Sequence, residues 1–423
     1  MNLKFRLTLM SFFQFFVWGA WLITISTYYF TSSMGAGKDA GQKFGDIFST
    51  LAISSIFMPA ITGIIADKWL NAEKLYGILH ILYGLILFYV PQVNDADTLY
   101  YVILGAMLCY MPTISLSNAI SYTILKRENY DVIKVFPPIR VWGTIGFIVA
   151  MWMTNLSGSK ANGNQFYIAA VAAIALGLFS FTLPKCPPQR TISRDASLIE
   201  QLGLNAFRLF ANYKMALFFI FSMFLGAALQ LTNMYGDTFL DDFKKIPAYG
   251  PDSFVVKYST IILSISQISE TLFILSIPFF LKRFGIKKVM LFSMLAWVLR
   301  FGLFAYGNPE EGLWMIILSC IVYGMAFDFF NISGSLFVET TTDSSIRSSA
   351  QGLFMMMTNG FGAFLGSRIS GRIIDTYYTL PNGDRSWQGI WLCFAGYALV
   401  VAILFAILFK HRHDPKALHT VTH

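Results

Sequence analysis

The chain has 423 residues, of which 56% are hydrophobic, 17% aromatic and only 13% Asp, Glu, Lys or Arg. A soluble domain carries about 25% charged residues, so the composition excludes a water-soluble enzyme or binding module and points to a chain that crosses a membrane many times. The net charge of +8 would suit a nucleic-acid binder, but the basic residues sit mainly in short stretches between apolar runs, as in the cytoplasmic loops of membrane proteins.

At about 20 apolar residues per span, the chain reads as twelve helices. They cover residues 5–30, 44–66, 74–91, 98–124, 139–157, 164–184, 213–239, 255–281, 287–306, 313–339, 347–375 and 387–410. The expected fold is an all-α polytopic membrane protein with two six-helix halves. The first run lacks a signal-peptidase-like site and reads as a retained helix. The polar stretch 185–212, opening KCPPQRTISRD, separates an N-terminal bundle, 1–184, from a C-terminal bundle with a short tail, 213–423. With both ends inside, 20 Lys or Arg face the cytoplasm and 7 face out, with Arg140, Arg300, Arg368 and Arg372 at or within helices. That bias places both termini in the cytoplasm. Cys109, Cys186, Cys320 and Cys393 form no CxxC, and neither a disulfide framework, a metal site nor a cofactor is expected. His411, His413, His419 and His423 read as part of a solvated basic tail.

Polar residues inside the apolar runs are costly and normally face a partner or a wet cavity. On the fifth expected helix Arg140, Thr144 and Phe147 share one face at i, i+4, i+7. Gln230 and Asn233 lie i, i+3 on the seventh, with Asp237 at its outer end; Gln267 and Glu270 do the same on the eighth. The tenth carries Tyr323 and Phe327 at i, i+4, beside Asp328 and Asn331. One cavity near the midplane between two halves would account for all four stripes. Glu270 and Asp328 are the acids able to take up a proton. Structural pairing with Arg300 is the alternative for Glu270, interhelical hydrogen bonding for Gln230, Asn233 and Gln267, and ordinary packing for Phe147, Tyr323 and Phe327. Gln14, Trp18, Asn118 and Asn359 are weaker cavity candidates.

GIIADKWLNAEKLYG, Gly63 to Gly77, and FLKRFGIKKVM, Phe280 to Met290, are basic loops at matching places in the two halves. The first resembles the loop signature of the major facilitator superfamily through Gly63, Asp67 and Lys68, although Leu70–Asn71–Ala72–Glu73–Lys74 replaces its usual later Gly–Arg–Lys. The resemblance implies that Gly63 permits close helix packing and that Asp67 and Lys68 belong to a charge cluster gating one conformation. WGAWL, FPPIRVWGTIGF, FFIFSMFLGAALQLTNMYGDTFL, SISQISETLFILSIPFFL and VYGMAFDFFNISGSLFVE are similar to the bacterial nucleoside:proton symporters of that superfamily, over nearly the whole chain.

That resemblance implies a non-enzymatic carrier in a bacterial cytoplasmic membrane. It imports nucleosides with protons by alternating access, as a monomer, with no nucleic-acid partner. It further implies that Arg140, Thr144, Phe147, Gln230, Asn233, Gln267, Glu270, Tyr323, Phe327 and Asp328 bind the substrate, with Asp328 or Glu270 carrying the proton. Their chemistry suits a nucleoside: charged groups for ribose hydroxyls, amides for the base edge and aromatic walls for its faces. A sugar or drug carrier would show a similar list, and a nucleoside-sensing receptor is a more distant alternative.

Overall fold

The computed structural model describes residues 2–188, 204–343 and 346–411. Arg190, Arg194, Arg412 and Lys416, four of the 20 basic residues counted on the cytoplasmic side, and the tail histidines His413, His419 and His423 lie outside them. Two compact units divide the chain, Met1–Leu202 and Gly203–His423. Among the described residues the regular secondary structure is helical, apart from an isolated bridge between Thr379 and Arg385. This suits apolar runs in lipid, where each segment has to satisfy its own N–H and C=O groups. Eight helical segments are long and apolar enough to cross a membrane, and Asn164–Ser180 is a shorter apolar helix.

The first unit holds α1 (Leu3–Gly19), α2 (Ile25–Thr31), α3 (Ala40–Lys68), α4 (Ala72–Tyr89), α5 (Ala96–Arg127), α6 (Val132–Leu156) and α7 (Asn164–Ser180). The single helix expected over 5–30 is broken between α1 and α2. At the break Trp21 and Leu22 N–H turn back to the Trp18 carbonyl (3.3 and 3.0 Å), and the Thr154 hydroxyl of α6 donates to the Ala20 carbonyl (2.8 Å). A neighbouring helix therefore satisfies what the break frees. α6 lies close enough for this because of Gly146: a Cβ there would come within 2.1 Å of the Phe12 carbonyl oxygen on α1. α6 also starts before Pro137–Pro138, not after them as expected.

Gln14 is fully buried in this unit. Its Nε2 donates to Thr113 Oγ1 (2.9 Å), its Oε1 accepts from the Tyr76 hydroxyl (2.6 Å), and its carbonyl accepts from the Tyr110 hydroxyl (2.7 Å). In place of the cavity role that its position in an apolar run suggests, Gln14 joins α1, α4 and α5 through these bonds.

Glu73, 2% exposed, ties down the segment after α7. Its carboxylate accepts from Asn71 Nδ2 (3.0 Å) and from the Cys186 N–H (2.8 Å), while Ala72 N–H donates to the Cys186 carbonyl (3.1 Å). Burial, and then the Glu73 carboxylate beside it, pushes the Cys186 thiol up to about 12. The thiolate is the reactive form, so Cys186 is expected to resist a maleimide at pH 7 in the folded protein and to react on unfolding. Mass spectrometry of the labelled peptide before and after denaturation checks this.

The second unit holds α8 (Tyr213–Asp242), α9 (Phe254–Lys257), α10 (Ser259–Tyr306), α11 (Leu313–Thr341), α12 (Arg347–Met355), α13 (Ala363–Ile373) and α14 (Trp387–Leu408). α8 runs past its expected end at 239 because its last acids find partners. Asp241 pairs with Lys244 (2.5 Å); Asp242 pairs with Lys245 (2.9 Å) and accepts from Trp387 Nε1 (2.9 Å). Asp237 accepts from the Ser259 and Thr260 hydroxyls (2.8 and 2.9 Å), holding the start of α10.

α10 has 48 residues because the expected basic loop contracts to a kink at Gly285, with φ 77° and ψ 168°. That conformation is open essentially to glycine alone. The arms are 259–284 and 286–306. The helix expected over 347–375 opens into two π-helical stretches, Met356–Gly362 and Ile374–Tyr378, on either side of α13.

Candidate functional site

α11 carries the acid that stood out in the sequence. Asp328 is 4% exposed, and among the described residues its Oδ2 has no hydrogen-bond partner. Five residues earlier, Tyr323 is buried and lies parallel to Phe327, with an interplanar angle of 8° and ring centroids 6.0 Å apart. The i, i+4 spacing of a helix produces this ladder.

Gly324 brings the second acid to it. A Cβ at Gly324 would lie 2.6 Å from the Ser269 main-chain carbon and oxygen and 2.7 Å from the Glu270 nitrogen, so α11 crosses α10 backbone to backbone. The Ser269 hydroxyl donates to the Ile321 carbonyl at this crossing, and Ser293 to the Ala326 carbonyl. Tyr323 therefore lies within electrostatic range of Glu270, Arg300 and Asp328, and Asp328 within range of Glu270. One turn before Glu270, Gln267 presents a buried Oε1 with no partner among the described residues. Gln230 and Asn233 are half-buried on α8.

Arg300, on the second arm of α10, is fully buried. It donates to the Ser319 carbonyl (2.7 Å) and Thr232 Oγ1 (3.3 Å), and its guanidinium lies over the rings of Tyr323 (4.7 Å) and Phe304 (4.9 Å). The sequence marks Arg300 as a basic residue in an apolar run and as an alternative structural partner for Glu270; its hold on the Tyr323 ring is a tertiary feature. Trp297, edge-on to Tyr323 at 5.9 Å, was missed. Its i, i+3 spacing to Arg300 was the available signal.

In the first unit Arg140, Thr144 and Phe147 lie on α6 as their spacing predicts. The Arg140 guanidinium stacks on Phe15 of α1 at 4.0 Å, and Phe147 meets Trp18 edge-on at 6.2 Å. Gly63, Asp67 and Lys68 end α3. The close packing expected at Gly63 is not seen, since a Cβ there would meet nothing within 4 Å. Gly63 and Asp67 instead line a cavity of about 300 Å³ with Ser115 and Thr123.

Within the second unit these groups form two neighbouring acids, unsatisfied side-chain oxygens and a flat aromatic ladder braced by a buried cation. Such a set can hold a polar ligand with an aromatic face and can exchange a proton. Among the described residues no nucleophile–base pair accompanies it.

The family described as nucleoside H+ symporter matches residues 1–414. The chain is 50% identical to nucleoside permease NupG of Escherichia coli (strain K12), over 100% of both chains. It is 51% identical to the xanthosine permease of the same organism, again over 100% of both. A solved structure of the nucleoside transporter NupG superposes with a TM-score of 0.90 at 51% identity, covering 97% of this chain and 100% of that one. A solved peptide transporter in complex with sulfate, 12% identical with a TM-score of 0.73, shares the fold. The relatives are permeases and transporters, not enzymes, and this chain belongs to the nucleoside H+ symporter family.

Proposed function

We propose that the chain imports nucleosides across a bacterial cytoplasmic membrane together with protons, by alternating access. The observation that carries the mechanism is the placement of Glu270 beside Tyr323 and Asp328 at the Gly324 crossing. Protonation of one acid neutralises the site, and the loaded carrier then switches. Asp328 holds the proton and Glu270 is its partner. The base stacks on Tyr323 and Phe327, and Gln230, Asn233 and Gln267 read its edge. Arg140, Thr144 and Phe147 also bind the substrate, and Gly63, Asp67 and Lys68 gate the conformational change.

The proposed organisation is a bundle over 1–184, a cytoplasmic connection over 185–212 and a second bundle over 213–423. Twelve spans result when the arms of α10 count separately, α7 is included, α1 with α2 makes one span, and α12 with α13 makes another. The 20-to-7 basic bias supports both termini on the cytoplasmic side. The chain works as a monomer.

Thermal unfolding of the purified protein tests the substrate class. A ligand at 100 times its Kd stabilises the folded state by about 2.7 kcal/mol. Nucleosides are expected to raise the unfolding temperature and hexoses to leave it unchanged. Protection by a hexose and none by nucleosides would overturn the assignment in favour of a sugar carrier.

A further inference from the structure

Within the second unit, a pocket extends from Phe327 toward two carboxamides, Asn331 on α11 and Asn359 in the π-helical stretch Met356–Gly362. Trp297 and Phe330 are among its other walls. The pocket is narrow, with about 20 Å³ open to the centre of a water molecule. That is room for one water or one small substituent, not for a ring. Both amides are half-buried, and among the described residues neither side chain has a hydrogen-bond partner.

The π-helical stretch sets where Asn359 stands. α8 presses on it with its backbone: a Cβ at Gly226 would lie 2.0 Å from the Thr358 carbonyl oxygen, and one at Gly362 would lie 2.2 Å from the Met223 carbonyl oxygen. A regular α-helix has 3.6 residues per turn. The wider π turn shifts the register of whatever precedes it, and such turns recur at functional sites. Asn359 is thus held on the pocket by main-chain contacts, opposite an aromatic residue of the proposed base wall.

We infer that Asn331 and Asn359 form a subsite for the exocyclic group of the nucleobase. A ring lying against Phe327 would send an amino or oxo substituent into the narrow pocket. Each carboxamide offers one acceptor oxygen and two N–H donors, so the pair takes either substituent and disfavours a base that has none. The subsite acts on base choice and leaves proton coupling to the acids. The inference rests on the nucleoside reading above and adds a determinant of selectivity to it.

The test is competition for labelled nucleoside uptake in proteoliposomes, comparing adenosine and inosine with purine riboside, which has the same ring without the exocyclic group. The wild type is expected to prefer the substituted bases by about five- to tenfold, the size of one or two neutral hydrogen bonds. Asn331→Leu and Asn359→Leu, and the smaller Asn331→Ala and Asn359→Ala, are expected to bring that ratio toward one. A ratio unchanged in all four variants overturns the inference, as does loss of all three nucleosides by an equal factor. If the wild type itself carries none of the three, the nucleoside reading fails and this subsite with it.

Discussion

Asp328→Asn is expected to abolish uphill accumulation of nucleoside while leaving nucleoside exchange across the membrane measurable. The carboxamide keeps the shape of the side chain and loses the titratable group. Asp328 is 4% exposed, has an oxygen without a partner among the described residues and lies within electrostatic range of Glu270. A charge in such a place is functional by default. One proton per nucleoside at 100 mV supplies about 2.3 kcal/mol, which sustains an accumulation of roughly 40- to 50-fold. Steady-state uptake in proteoliposomes is expected to approach that ratio in the wild type and to stay near one in the variant. Wild-type accumulation by Asp328→Asn together with its loss in Glu270→Gln would move the proton to Glu270. Wild-type accumulation by both variants would contradict the role of the acid pair.

Gly324→Val is expected to cost about 1–3 kcal/mol of stability, the range for overpacking a filled core, and to lower uptake at least tenfold. The new Cβ would lie 2.6 Å from the Ser269 main chain, which cannot swing aside as a side-chain tip can. α11 then separates from α10, and Glu270 separates from Tyr323 and Asp328. Gly302→Ala is the control. A Cβ at Gly302 meets nothing within 4 Å, and replacing a helical glycine by alanine stabilises by roughly 0.5–1 kcal/mol. Thermal unfolding and initial uptake rates for the two variants check the contrast.

The positions of most helices, and the acids inside them, were legible in the sequence, because a long apolar run in lipid has few alternatives to a helix and a carboxylate in it has no ordinary reason to be there. What was not legible depends on neighbours distant in sequence. Nothing local near residue 20 announces the break between α1 and α2; Gly146 and Thr154 on α6 make it possible. The apolar run 347–375 gives no sign of its π-helical stretches. Gln14 looks like a cavity residue until Tyr76, Thr113 and Tyr110 are seen to occupy it. The helical spacing of Tyr323 and Phe327 predicted a shared face. The guanidinium over Tyr323 and the backbone crossing at Gly324 required the packed unit.

The most direct test of the account follows protons and nucleoside together. Proteoliposomes holding a trapped pH-sensitive dye, with no imposed gradient, receive external nucleoside. The account predicts that the wild type acidifies the lumen as nucleoside enters, that a protonophore removes the signal, and that Asp328→Asn gives none. Nucleoside entry through the wild type with no change in lumenal pH would contradict proton coupling at this site.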